Sequence, residues 1–536
     1  MAAGAAREFA ERLHAAPIPR GTEPAPVFSA ATASRRRPAE VSDLAGRLDP
    51  AAEAPYGSNL PLRGTRPGVG KETDPQTLAG AAEVLRAGAM RSIDLVDAAL
   101  AVADKTDAEL GLFHSRFADA ARTAAERVDR ALDAGEALGP LAGLPLGIKD
   151  LLTTLDGPTT AGSLVPPDDD RQDATAVARL RAAGAVIVGK TLTSEYGCGS
   201  PDPSKPLPVP RNPWDVTRWT GGSSAGNAAG LIAGAFLGAL GTDSGGSIRM
   251  PSAFCGTTGL KPTYGRVPRT GGTPMGWSTD TIGPMATTAR DCALLLEAIA
   301  GPHPGDASTA DVPVPRYTSS LTGDLRGVRI GVDRLSSPVA DPSLPGVFEA
   351  ALAELVALGA DLIEVSVPLY PEIAAASIVI TLSEALAYHR ADFALRRADF
   401  FANTLATIGV ADDFTAADYV QAQRVRRAGQ EAVSELFDGA PGVDLIVTPT
   451  AAVAATPYDR LDRMFESGEF FAVHAPYWNV VGNPALSVPM GFTAARMPLG
   501  LQIVGAPFDE GLVLRAGDAY QQRTVWHAAR PDSGGK

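Results

Sequence analysis

The sequence predicts an α/β protein in which helices cover the faces of a β-sheet. Short runs of β-branched residues alternate along the chain with longer stretches of helical period, an order that sets strands side by side and packs helices over them. Hydrophobic residues make up 45% of the chain and charged residues 20%, enough apolar surface for a sizeable core. No Gly/Ser-rich or Pro-rich linker interrupts the alternating part, so it reads as one domain.

Taken in order, residues 1–71 are dominated by Ala, Pro, Arg and Gly, with few aliphatic residues at either period, and read as a partly irregular extension. Asp74-Pro75 suits an N-cap and a first helical position, so regular structure is expected to begin there, with LAGAAEVLRAG and then a second helix from Ser92. Residues 118–134 form a further helix. Strand-like runs follow at 144–149 (LPLGIK), 185–189 (AVIVG) and 328–332 (VRIGV). A helix over 349–358 leads to a strand at 361–367 (DLIEVSV), and a long helical insert at about 373–437 has the length to cap a pocket. The tail returns to strands at 444–450 (DLIVTPT), 485–490 (ALSVPM) and 500–506 (GLQIVGA). The domain therefore runs over 72–536.

A net charge of −14 repels phosphates and anionic lipid, which argues against direct nucleic-acid binding and against a membrane surface. Cys198, Cys255 and Cys292 are odd in number and far apart, fitting neither a disulfide framework nor zinc-ligand spacing. That usage suits a reducing, cytoplasmic setting. The first residues carry acidic side chains and prolines where a secretory signal needs an unbroken apolar stretch. The apolar run at 228–240 (AAGLIAGAFLGAL) is too short to span a bilayer and reads as a buried core element.

Two motifs mislead. Residues 184–191 (GAVIVGKT) have Walker A spacing, yet a phosphate loop needs free backbone N–H groups, and Ala-Val-Ile-Val belongs in a strand where those groups are paired. Gly184 reads instead as the cap ending the helix ATAVARLRAA. Residues 222–226 (GSSAG) fit a nucleophile elbow centred on Ser224, but RNPWDVTRWT before them is no central strand. His303, His389, His474 and His527 have no context that marks one as its partner. His-Glu-x-x-His does not occur, and no metal or cofactor is expected.

Three segments remain: 143–150 (GLPLGIKD), 220–226 (TGGSSAG) and 241–251 (GTDSGGSIRMP). Together they resemble the amidase signature. GAVIVGKTLTSEYG, RNPWD, FCGTTGLKPTYGRVP, DTIGPMATTARDCALLL, GNPALSVPMGF and PLGLQIVG extend the resemblance in family order over about residues 74–510. The resemblance implies a mixed central β-sheet covered on both faces by α-helices. It also implies an amidohydrolase whose nucleophile is Ser247, whose bridging serine is Ser223, following a cis peptide bond, and whose base is Lys149.

The residues support each implied role. Lys149 ends an apolar run, and a buried lysine loses solvation of its charged form, so its pKa falls. Reaching 7–8 corresponds to roughly 3–4 kcal/mol. An ordinary ion pair with Asp150 is the competing reading. A serine hydroxyl both donates and accepts, so Ser223 can relay a proton between Lys149 and Ser247. The glycines of Ser244-Gly245-Gly246-Ser247 let backbone N–H groups turn inward, and the resemblance makes Ser244, Gly245 and Gly246 the oxyanion hole. Ser224, Asp243 and Arg249 are expected to brace these loops.

The resemblance also places Gly197 and Cys198 in the substrate pocket, although a small buried core cysteine is the other reading of Cys198. The insert near Glu384 to Tyr419 and the run His474 to Asn479 (HAPYWN) are open between pocket wall and core. The expected partner is a small-molecule amide or carbamate, acted on by a monomer or homodimer. The rival within the family is the glutamine-hydrolysing A-subunit of a tRNA-dependent amidotransferase.

Overall fold

A computed structural model describes residues 2–17, 75–167, 171–440, 442–464, 469 and 472–531. Eleven strands form one sheet: β1 Phe113–Arg116, β2 Pro145–Lys149, β3 Val186–Thr191, β4 Gly238–Asp243, β5 Thr258–Lys261, β6 Thr281–Ala286, β7 Arg329–Val332, β8 Asp361–Glu364, β9 Leu445–Pro449, β10 Ala485–Phe492 and β11 Pro498–Gly505. Their order is β1-β3-β2-β4-β6-β5-β10-β11-β9-β7-β8. The sheet is mixed. β2 runs parallel to β3 and β4, and β7 parallel to β8 and β9, while the remaining pairs are antiparallel. Strands β2, β3, β4, β9 and β11 are buried along their whole length, as expected for strands covered on both faces.

The register between β2 and β4 sets up the chemistry. Ile148 lies opposite Leu240, so the C-terminal ends of two parallel strands emerge together, carrying Lys149 on one and Thr242-Asp243 on the other. Ligands of open α/β sheets collect at such carboxyl ends.

Several expectations need correction at element boundaries. The first helix of the main domain is Leu78–Arg86, and Thr77 caps it by accepting the Gly80 N–H at 3.1 Å. Asp74 and most of the extension lie outside the described residues. Regular structure nevertheless appears much earlier, in a helix Ala2–Ala15. Its apolar stripe is narrow: Leu13 is fully buried among Ile373, Val379 and Val425, with Phe9 packed beside it. Ala-rich composition hides so thin a stripe. Gln421 Nε2 donates to Leu13 O (3.0 Å) and His14 Nε2 pairs with Asp418 Oδ1 (3.0 Å).

The insert is three helices, Tyr370–Arg396, Ala402–Gly409 and Ala416–Asp438. The first is long and apolar enough to cross a membrane by length and composition, yet half of that window is buried, as in a core helix. In HAPYWN, Tyr477 and Trp478 belong to the core; Tyr477 stacks on Tyr370 at 5.5 Å and its hydroxyl donates to Pro368 O.

Candidate active site

Lys149 is fully buried at the end of β2. Its Nζ donates to Ser223 Oγ at 2.7 Å, to Thr242 Oγ1 at 2.8 Å and to Thr242 O at 3.3 Å. Burial brings its pKa down to about 7, against the opposing pull of the Asp243 and Asp280 carboxylates. The competing ion pair is not made, because Asp150 holds Lys190 instead at 3.1 Å. Asp150 also accepts from the Thr160 hydroxyl (2.5 Å) and amide, which ties the segment after β2 in place.

The Gly222–Ser223 peptide is cis, as the resemblance implied. Gly221 has φ +75, and a Cβ there would press on Pro251 and Phe254 at 3.0 Å, so only glycine fits. Ser224 is buried, its N–H donates to Ser247 O (3.1 Å) and its hydroxyl to Thr242 O (3.3 Å). It braces the two loops and faces no opening, which disposes of the elbow motif. Likewise Gly184–Thr191 is the buried strand β3 with its approach turn, and Lys190 donates to Thr159 Oγ1 (2.7 Å).

The loop after β4 is organised by one carboxylate. Asp243 accepts from the backbone N–H of Gly246 (2.7 Å) and Ile248 (3.1 Å) and pairs with Arg249 through two contacts of 3.0 Å. Burial alone would raise the Asp243 pKa, but Arg249, Lys261 and Asn479 hold it well below the usual carboxylate range. Arg249 also donates to Ala475 O and Gln502 Oε1 (2.8 Å each) and to Asn479 Oδ1 (2.6 Å). Asn479 closes the network by donating to Asp243 O and Oδ1 at 2.8 and 2.9 Å.

Ser247 is partly exposed, and among the described residues its hydroxyl makes no hydrogen bond. Gly245 is also partly exposed, and a Cβ built on it would meet nothing within 4 Å, so open space lies above it. Gly246 differs: its N–H is committed to Asp243, and a Cβ there would lie 2.7 Å from Ala475 Cβ. Of the glycines expected to supply oxyanion donors, Gly245 is the one whose N–H is left uncommitted among the described residues, together with that of Ser247.

Gly197 adjoins Ser223, since a Cβ at this φ +76 position would sit 3.3 Å from Ser223 Oγ. Cys198 is buried in the apolar cluster of Leu151, Tyr196 and Phe400, where burial pushes its thiol up to about 12. Sequence reading missed Thr242, Gln502 and Asp280, and reached Asn479 only as the end of a run left open between pocket wall and core. Thr242 had a signal, being next to Asp243 at the end of a strand. Asn479 and Gln502 reach Arg249 from 230 and 253 residues away and had none.

Residues 94–514 match the Amidase family. The chain belongs to the amidase family. It is 38% identical over 486 residues to the A-subunit of a glutamyl-tRNA(Gln) amidotransferase from Chloroflexus aggregans, covering 85% of this chain and 98% of that relative. Among solved structures it is similar to a protein of a vestigial complex that bears on the origins of an s-triazine catabolic enzyme. That match has 31% identity and TM-score 0.77 over 85% of this chain and 100% of the other. It is also similar to the native peptide amidase of Stenotrophomonas maltophilia, at 30% identity and TM-score 0.72 over 84% and 96%. This amidase is therefore a family enzyme acting on amide C–N bonds.

Proposed function

We propose that this amidase hydrolyses a carboxylic amide by a Ser247–Ser223–Lys149 relay and an acyl-enzyme. The observation that carries the reading is a fully buried Lys149, lowered to about 7, with Nζ 2.7 Å from Ser223 Oγ. At neutral pH about half of such a lysine is unprotonated and can accept a proton. Ser223, holding Lys149 on one side, passes a proton from Ser247, whose oxygen bonds to the carbonyl carbon. Charge on the former carbonyl oxygen is met by the N–H groups of Gly245 and Ser247. The carbon–nitrogen bond then breaks as the nitrogen takes the proton back along the same path. Water, deprotonated by the same relay, releases the acid and restores Ser247.

The substrates favoured are amides with apolar or aryl groups, and an aryl carbamate suits the same relay. A second reading is glutamine hydrolysis as the glutaminase component of an amidotransferase, favoured by 38% identity over nearly the whole length of the Chloroflexus aggregans relative. One experiment separates them. The purified chain is assayed on aryl acylamides, aliphatic amides, an aryl carbamate and free glutamine beside Ser247→Ala. Amine release from the aryl or aliphatic amides that vanishes in Ser247→Ala is the expected result. Ammonia from glutamine alone would move the assignment to the second reading, and full activity in Ser247→Ala would refute the nucleophile.

A further inference from the structure

We infer that Met275 is a specificity-determining residue, the thioether wall against which an apolar substituent of the amide packs beside Ser223. This rests on Ser223 being the relay serine. Three side chains converge on the face of Gly197, and Gly197 and Met275 are both partly exposed there. A Cβ built there would lie 3.2 Å from Leu151 Cδ1, 3.3 Å from Ser223 Oγ and 3.9 Å from Met275 Sδ. Leu151 is buried, and Met275 is partly buried against the same apolar cluster, which also includes Tyr196 and Leu382. A group approaching Ser223 from this side meets aliphatic carbon and sulfur.

The charges nearby are already engaged. Asp280 turns inward to accept the N–H groups of Met275 and Gly276, at 2.9 Å each. Glu384 accepts from the Ser278 amide (2.8 Å), the Ser278 hydroxyl (2.7 Å) and the Tyr419 hydroxyl (2.8 Å). Arg426 donates to Ser278 Oγ and Ser278 O, both at 2.9 Å. Asp280, Glu384 and Arg426 are thus each engaged within the protein, which leaves none of the three to hold a zwitterion.

These bonds also explain why a methionine, ordinarily an adaptable side chain, can discriminate. The segment 273–280 is pinned at both ends. Thr273 N donates to Leu151 O at 2.8 Å, and Ser278 is gripped by two helices of the insert through Glu384, Tyr419 and Arg426. The wall is positioned by the part of the chain with no catalytic group of its own. In an apolar pocket one methylene is worth about tenfold or more in kcat/KM.

The test measures length profiles in two series of amides: acyl groups from acetyl to octanoyl on p-nitroaniline, and N-alkyl acetamides of increasing chain length. Wild type is compared with Met275→Ala and Met275→Phe, each profile normalised within one variant so that a smaller folded fraction cancels. Met275→Ala is expected to move the optimum to longer substituents and Met275→Phe to shorter ones, changing the long-to-short ratio by about tenfold in opposite directions. The series that moves names the side of the amide that packs there. Profiles superimposable on wild type in both series and both variants overturn this inference alone. A wild type inert on every amide overturns the hydrolytic reading and this inference with it.

Discussion

Lys149→Met is expected to abolish turnover and yet make the protein more stable at neutral pH. In the unfolded chain Lys149 has its ordinary pKa of 10.5, whereas burial in the fold lowers it to about 7. At pH 7 the unfolded state keeps its proton and the folded state has lost half of one, which costs the fold about 4 kcal/mol. The unfolded state binds more protons everywhere between about 7 and 10.5, so wild-type stability rises with pH across that window, and by pH 9 the penalty is about 2 kcal/mol.

Methionine matches the length of the lysine stem and carries no charge, so it removes this term. It also removes the hydrogen bonds to Ser223 Oγ and Thr242 Oγ1, worth about 1 kcal/mol each, and leaves hydroxyls able to bond one another. The variant is therefore expected to be about 2 kcal/mol more stable than wild type at pH 7 and about equal at pH 9. Lys261, lowered by burial to about 7 as well, is present in both proteins and cancels in the difference. Chemical denaturation at the two pH values reads the stability. In wild type, kcat/KM should fall about tenfold per unit below pH 7 as Lys149 gains its proton. A stability difference that stays constant from pH 7 to pH 9, or wild-type turnover in Lys149→Met, would refute the account of a buried neutral base.

Other changes probe the framework. Asp243→Asn leaves the Arg249 guanidinium buried without its counter-ion and replaces one of the two oxygens that accept the loop amides by an N–H donor, so a loss of about 3–5 kcal/mol is expected, together with loss of activity. Adding Arg249→Met should recover part of the stability in denaturation midpoints but none of the rate; additive losses would argue against the pair as a unit. Leu13→Asp puts a charge into a fully buried site and should release the helix Ala2–Ala15, seen as fast hydrogen exchange there. The sheet should keep its protection, and equal loss of protection in β2 and β4 would show that the helix is needed for the whole fold.

The parts of the molecule that sequence determined are those governed by near neighbours. Apolar runs such as AVIVG and DLIVTPT bury on both faces whatever their partners, and they became β3 and β9. The glycines of Ser244-Gly245-Gly246-Ser247 stood out as part of a tight loop, and at Gly246 a Cβ does not fit. The lysine at the end of an apolar run was recognisable as a buried one for the same reason. Thin signals failed: the helix Ala2–Ala15 shows its apolar stripe only when Leu13 meets the insert.

Tertiary structure decided which groups meet. Local pattern offers Lys149 both Asp150 and Ser223, and the strand register chose Ser223 by placing Lys190 on Asp150. It also decided that Gly246 gives its N–H to Asp243 while Gly245 keeps open space above it. Arg249 gathers Asn479 and Gln502 from more than two hundred residues away, and Ser278 gathers Glu384 and Arg426. Period and propensity act over a few residues. A buried charge or a free amide, by contrast, takes whichever partner the folded sheet brings within about 3 Å, because that is the range over which a hydrogen bond forms.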